Sequence, residues 1–190
     1  MIGVGMLAGT ALLLAWPIGR ALGSSGKEDP IARGKYLVNA MGCTDCHTPV
    51  RMTATGPVPD ASRLLAGHPS DVEVPAVPSG ADRRWAMYVA DPNTAFAGAW
   101  GVSYAANLTP HATGMGVWSE EMFIQAMRTG KRMGVGRGML PPMPWPGYAQ
   151  MTDDDLRAIF VYLRTIPPVE NVVPAATAPP GGTSAPTAGG

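Results

Sequence analysis

The sequence predicts an all-α domain, on three stretches that each carry an N-cap, an apolar stripe and a stop. They run from Asp29 to Gly42, from Ser119 to Gly130 and from Thr152 to Ile166. Between the first and second lies a proline-rich region, Thr48 to Val117, where only Asp82 to Ala90 hints at a helical piece. A few helices with one long irregular insert are therefore expected.

Asp29-Pro30 opens the first helix, a capping residue followed by proline at the first helical position. Ile31, Gly34, Leu37, Val38 and Met41 recur at helical spacing, and Gly42 suits the stop. A mid-helix glycine such as Gly34 costs about 1 kcal/mol relative to alanine. It reads either as tolerance on an exposed side or as close contact with another helix. Ser119 caps the second helix, with Glu120 and Glu121 at the positive end of its dipole. Trp118 and Phe123 stand at staple positions on either side of that cap. Leu140-Pro141-Pro142-Met143-Pro144-Trp145-Pro146 then forms an extended strap stiffened by its prolines. Thr152 caps the third helix, Asp153, Asp154 and Asp155 fill its first turn, and Pro167-Pro168 ends it. Leu156, Ile159, Phe160, Leu163 and Ile166 are its apolar stripe.

The first helix delivers the chain into Cys43-Thr44-Asp45-Cys46-His47. Cys-x-x-Cys-His is the attachment signature of a c-type haem. Two thiols at this spacing reach the two vinyl groups of one porphyrin and hold it through thioether links. The histidine then lies under the ring as the proximal iron ligand. A redox dithiol needs a βαβ setting, which is not in view. A structural zinc site needs four ligands, which 2 Cys and 3 His without a second close pair do not supply. One covalent haem c is the expected cofactor.

The distal face of that haem decides between electron transfer and ligand chemistry. Of the 12 Met, Met151 is occupied as a staple against Leu156, and Met122 and Met127 belong to the second helix. Met143, locked between prolines, is the expected partner of His47 on the iron, because a rigid strap holds a weak thioether ligand at small entropic cost. Met139 is the next candidate and His68 the third, although a lone histidine beside Pro69 reads first as a hydrogen-bonded loop residue. Leu64, Leu65, Trp85, Tyr88, Phe96, Trp100 and Tyr104 give the insert enough apolar surface to fold as an ordered wrap over the haem. Trp100, Tyr104 and Asn107 are candidates for hydrogen bonds to the haem propionates, with core packing the alternative for the aromatics. Lys131, Arg132 and Arg137 lie in a glycine-rich loop that reads as solvated surface, or as a patch for propionates or an acidic partner.

At 190 residues the chain allows one domain with extensions. Hydrophobic content of 46% supports a core, while 20 Pro and 24 Gly mean much irregular backbone. Fourteen basic side chains balance fourteen acidic ones, which argues against a nucleic-acid binder and leaves long-range steering weak. Residues 1–23 read as a signal peptide or an N-terminal membrane anchor: Ile2 to Gly19 carries no charge, and Arg20 precedes the small-residue run Ala21 to Ser25. Either reading exports the haem domain, residues 24–171. The Ala/Pro/Thr/Gly tail, residues 172–190, is expected to be disordered.

A helix leading into Cys43-x-x-Cys46-His47, then Met143-Pro144 in a loop ahead of a last helix, resembles a class I cytochrome c. In that family the two terminal helices cross through a glycine of the first and an aromatic of the last, roles open to Gly34 with Tyr162 or Phe160. A narrower set is similar to bacterial cytochrome c domains found alone or in dehydrogenase complexes. It comprises Asn107-Leu108-Thr109-Pro110, Thr113-Gly114-x-Gly116, Trp118-Ser119, Arg128-Thr129-Gly130, Pro142-Met143-Pro144-Trp145-Pro146 and Thr152-Asp153-Asp154-Asp155-Leu156.

The resemblance implies an all-α cytochrome c fold of a few helices around one covalently bound haem. It implies one-electron transfer in the periplasm with His47 and Met143 on the iron, free or tethered to the inner membrane, and no bond chemistry by the chain itself. A dehydrogenase, an oxidase or another cytochrome is the expected partner, as donor or acceptor or within a respiratory or dehydrogenase complex. Two other classes stay open. A peroxidase-like enzyme would use His68 or His111 as acid–base groups, and a gas sensor would need a displaceable distal ligand.

Overall fold

The computed structural model describes residues 28–76 and 84–179. The leader or anchor expected over 1–23, and residues 180–190 of the expected tail, lie outside these. Among the described residues, five α-helices run as α1 (Pro30–Ala40), α2 (Cys43–His47), α3 (Glu120–Thr129), α4 (Trp145–Tyr148) and α5 (Asp153–Leu163). None of the described helices is long and apolar enough to cross a membrane.

The caps form as their residue types require. Asp29 accepts from Ile31 N, Ser119 from Met122 N and Thr152 from Asp155 N. Gly42 and Gly130 take the left-handed conformation at the boundaries expected of them. The apolar stripes meet in one core, with Leu37 and Val38 of α1, Phe123 and Met127 of α3, and Leu156 and Ile159 of α5 all buried. The Phe123 and Phe160 rings lie 5.7 Å apart within it. At the crossing of α1 and α5, Gly34 faces the Ala158 carbonyl and the Tyr162 side chain.

The all-α expectation is corrected by the insert, whose described residues form two antiparallel sheets. Strands β1 (Val50–Thr53) and β2 (Gly56–Pro59) pair as a hairpin, and β3 (Met87–Ala90), β4 (Ala95–Gly98) and β5 (Gly101–Tyr104) form a meander in that order. Where a helical piece was expected over Asp82 to Ala90, residues 87–90 are strand β3. Proline is compatible with β2 because a two-stranded ribbon has only edge strands, so a missing donor disturbs one side alone. The strands are four residues each. Ala-Phe-Ala-Gly lacks the alternation that marks longer strands, and Gly-Val-Ser-Tyr is too short to display it.

An ion pair ties α1 to α5, with Arg33 Nε donating to Asp155 Oδ1 at 2.9 Å. That guanidinium holds the Asp155 carboxyl below the usual carboxylate range. A lowered folded pKa stabilises the native state above the unfolded value and is lost as pH falls through the folded one. Asp155→Asn is therefore expected to melt below the wild type at neutral pH, with the gap closing in acid. Melting curves taken across the carboxylate range would check it. The pair is partly exposed, so the gap should be modest.

Candidate functional site

One cavity of about 510 Å³ opens between α2, β5, the loop after β5, α3 and the proline strap. That volume is typical of a cofactor site. Cys43, Cys46 and His47 line it from one side, and Met139 and Met143 also border it. The sequence-predicted thiols, proximal ligand and both methionine candidates are thus brought together around one space.

His47 is buried at the end of α2. Its Nδ1 lies 2.8 Å from the Ala106 carbonyl oxygen, which only accepts, so Nδ1 carries the proton and Nε2 keeps its lone pair. This second partner orients the ring and fixes the tautomer a metal ligand needs. Burial lowers the pKa of His47, outweighing the opposing effect of the Ala106 bond, and keeps the imidazole neutral. The insert closes on the same residue from behind, with Gly67 N donating to the His47 carbonyl at 2.8 Å. Burial pushes the Cys43 thiol up to about 11 and raises Cys46 too. That is the reverse of a reactive redox dithiol, whose thiols are made acidic.

The remaining predicted residues divide. Tyr104 and Asn107 line the cavity, but Asn107 is already committed within the protein. Its Oδ1 accepts from Thr109 N at 2.9 Å and its Nδ2 donates to the Val169 carbonyl at 2.9 Å. Trp100 is not part of the lining; its indole N–H donates to Ser103 Oγ at 3.1 Å. Ser103 Oγ in turn donates to the Pro141 carbonyl at 2.5 Å, pinning the methionine strap to β5. His68, third choice as iron ligand, is fully buried elsewhere, between Thr94 Oγ1 at 2.9 Å and the Val72 carbonyl at 3.1 Å. The carbonyl requires a proton on Nε2, so Nδ1 accepts from the Thr94 hydroxyl and neither nitrogen is spare. Burial lowers its pKa as well. His111 lies outside the lining, with Nδ1 2.9 Å from Thr113 Oγ1.

Trp118 reads from the sequence as a staple and as part of a family motif, not as a site residue. Trp118 borders the cavity, and its Nε1 is buried with no hydrogen-bond partner among the described residues. A buried indole N–H normally has an acceptor. The signal available in the sequence was the indole itself, a side chain with a donor to satisfy when buried. Arg132 and Arg137 share the lining, and Arg132 lies over the Trp118 ring at 5.9 Å.

The cytochrome c family model matches residues 31–167 of this chain. It belongs to the cytochrome c family. The cofactor is accordingly haem c, held by Cys43 and Cys46 of the Cys-x-x-Cys-His motif. The residues present fit it: an apolar cavity with both thiols in its lining, and an orphan donor with two arginines that would suit anionic propionates. Among curated relatives, this cytochrome is 29% identical over 149 residues to the fructose dehydrogenase cytochrome subunit of Gluconobacter japonicus, covering 77% of this chain and 24% of that one. It is 28% identical over 157 residues to the cytochrome c subunit of the quinone alcohol dehydrogenase of Gluconobacter oxydans, covering 82% and 25%. It is also 28% identical over 133 residues to the gluconate 2-dehydrogenase cytochrome c subunit of Pantoea cypripedii, covering 70% and 22%. The cytochrome thus spans about a quarter of the length of these relatives.

Proposed function

We propose that this cytochrome is a one-electron relay with His47 and Met143 as axial iron ligands, working in the periplasm and taking electrons from a dehydrogenase. The observation that carries the reading is the His47 Nδ1–Ala106 bond, which leaves Nε2 as the free ligand atom at the wall of the cavity shared with Met143. The haem supplies the one-electron ferric/ferrous couple. The chain's own residues then do three things. His47, buried and neutral, is held in one orientation. Met143 is confined by Pro142 and Pro144 in a strap whose Pro141 carbonyl is pinned by Ser103, so a thioether is presented at little entropic cost. Phe96, Met115, Phe123 and Met127 exclude water from the cavity, which favours the less charged ferrous state.

Met139 borders the same cavity, but its backbone is paired to Gly130 in the loop after α3, with N–H to carbonyl at 2.7 Å. It lacks the flanking prolines that make Met143 the better presented thioether. The names of the relatives favour a dehydrogenase as the electron source. The uncharged segment Ile2 to Gly19 and the family likeness support an exported location.

The test compares oxidised wild type with Met143→Ala. The wild type should show the iron–sulfur charge-transfer band and the variant should lose it, with a lower midpoint potential. A wild type without the band, or a variant that keeps it, would overturn the ligand assignment. Transfer of the loss to Met139→Ala would move the role to that residue.

A further inference from the structure

Beyond α5 the chain doubles back across the haem cavity, and it is fixed at both ends. Asn171 is the first anchor, buried under the insert. Its Nδ2 donates to the Ala66 and His68 carbonyls at 2.7 and 2.9 Å, and its Oδ1 accepts from Ser70 N at 2.9 Å. Thr177 is the second. Its N–H donates to the Val102 carbonyl at 3.0 Å, and Val102 N returns a bond to the Thr177 carbonyl at 3.0 Å. Val172, Val173, Pro174, Ala175 and Ala176 lie between the anchors, and all five line the cavity shared by His47 and Cys46. Val172, Pro174 and Ala175 are exposed as well, so this strip of chain separates the cavity from water.

Gly101 makes the second anchor possible. Its φ is +97°, and a Cβ there would stand 1.9 Å from the Thr177 carbonyl oxygen. Only glycine accepts both that backbone and that approach.

We propose that residues 172–177 are a latched strap governing water access to the haem, and through it the reduction potential, with Thr177 and Gly101 as its positioning residues. The strap presents hydrocarbon and no charge to the cavity. A dry, low-dielectric wall disfavours the more charged ferric state and so raises the potential. The inference needs the haem of the family and is independent of which methionine binds the iron.

Thr177→Pro removes the latching N–H without touching the core, whereas Thr177→Val keeps it. Both are made in the full-length holoprotein, alongside Gly101→Val. The midpoint potential and the rate of reduction by dithionite are the readouts. Thr177→Pro should lower the potential and speed reduction about fivefold, the change expected for losing one backbone hydrogen bond. Gly101→Val should do the same and Thr177→Val should match the wild type. The Thr177 and Val102 amide protons of the unaltered protein should exchange slowly. Wild-type potential and rate in Thr177→Pro would overturn the proposal, as would an equal shift in Thr177→Val or fast exchange at both amides. Should Gly101→Val fail to load haem, Thr177→Pro and the exchange measurement still decide.

Discussion

Gly34→Ala is expected to lower the melting temperature of this cytochrome by about 4–8 °C, a loss of roughly 2 kcal/mol. A methyl group at position 34 would stand 1.9 Å from the Ala158 carbonyl oxygen and 2.7 Å from Tyr162 Cβ. Ordinary contact needs about 3.5 Å, so the two helices must part. The Ala158 carbonyl belongs to the backbone of α5 and cannot rotate away as a side-chain tip could. Against this, alanine stabilises the interior of α1 by about 1 kcal/mol relative to glycine. The steric term wins because parting α1 from α5 loosens the packing of Leu37 and Val38 against Leu156 and Ile159 as well. The consequence reaches the haem, since α1 leads through Gly42 directly into Cys43. Haem incorporation should fall in step with stability, and Gly34→Val should yield little holoprotein. Gly147→Ala is the control, because nothing lies within 4 Å of a Cβ there. It should stay within about 0.5 kcal/mol of the wild type. A Gly34→Ala protein that melts with the wild type would mean that α1 and α5 do not cross this closely.

The helical frame was legible because its signals are local. A capping side chain, a left-handed glycine and an apolar stripe each act within a turn or two, and Asp29, Ser119 and Thr152 cap their helices as read. Cys43, Cys46 and His47 were equally plain, since their chemistry is written in their spacing. What escaped was long-range. The sheets of the insert rest on pairing between Ala- and Gly-rich strands and on an edge position that tolerates Pro57 and Pro59, neither visible in a short window. Residues 172–177 have the composition of a disordered tail, yet a glycine some 76 residues earlier in the chain receives them. His68, by contrast, is the hydrogen-bonded loop residue that a lone histidine beside Pro69 suggests, with Thr94 and Val72 using both its nitrogens.

Trp118→Phe is expected to lower the melting temperature by about 4–8 °C and to lower the midpoint potential, with a stronger dependence of that potential on pH. Among the described residues, Trp118 Nε1 at the wall of the haem cavity is a buried donor without a partner. A donor left unpaired in a dry site costs about 1–3 kcal/mol. The chain keeps it, and a propionate carboxylate of the family's cofactor would supply an acceptor in this cavity. Phenylalanine fills much of the same space without the N–H. A carboxylate bound there would then lose a charge-assisted bond worth roughly 2 kcal/mol. Its negative charge, less neutralised, favours ferric over ferrous iron and pulls the potential down. It also takes up a proton more readily as pH falls, and each proton gained restores part of the lost potential. A mere packing defect would lower stability but leave the pH dependence of the potential as in the wild type. Redox titrations of both proteins from pH 5 to 8 separate the two outcomes. Arg132 and Arg137 remain in the lining, where they would hold such a carboxylate partly in place, so the shift should be graded, and Trp118→Phe combined with Arg132→Gln should exceed either change alone.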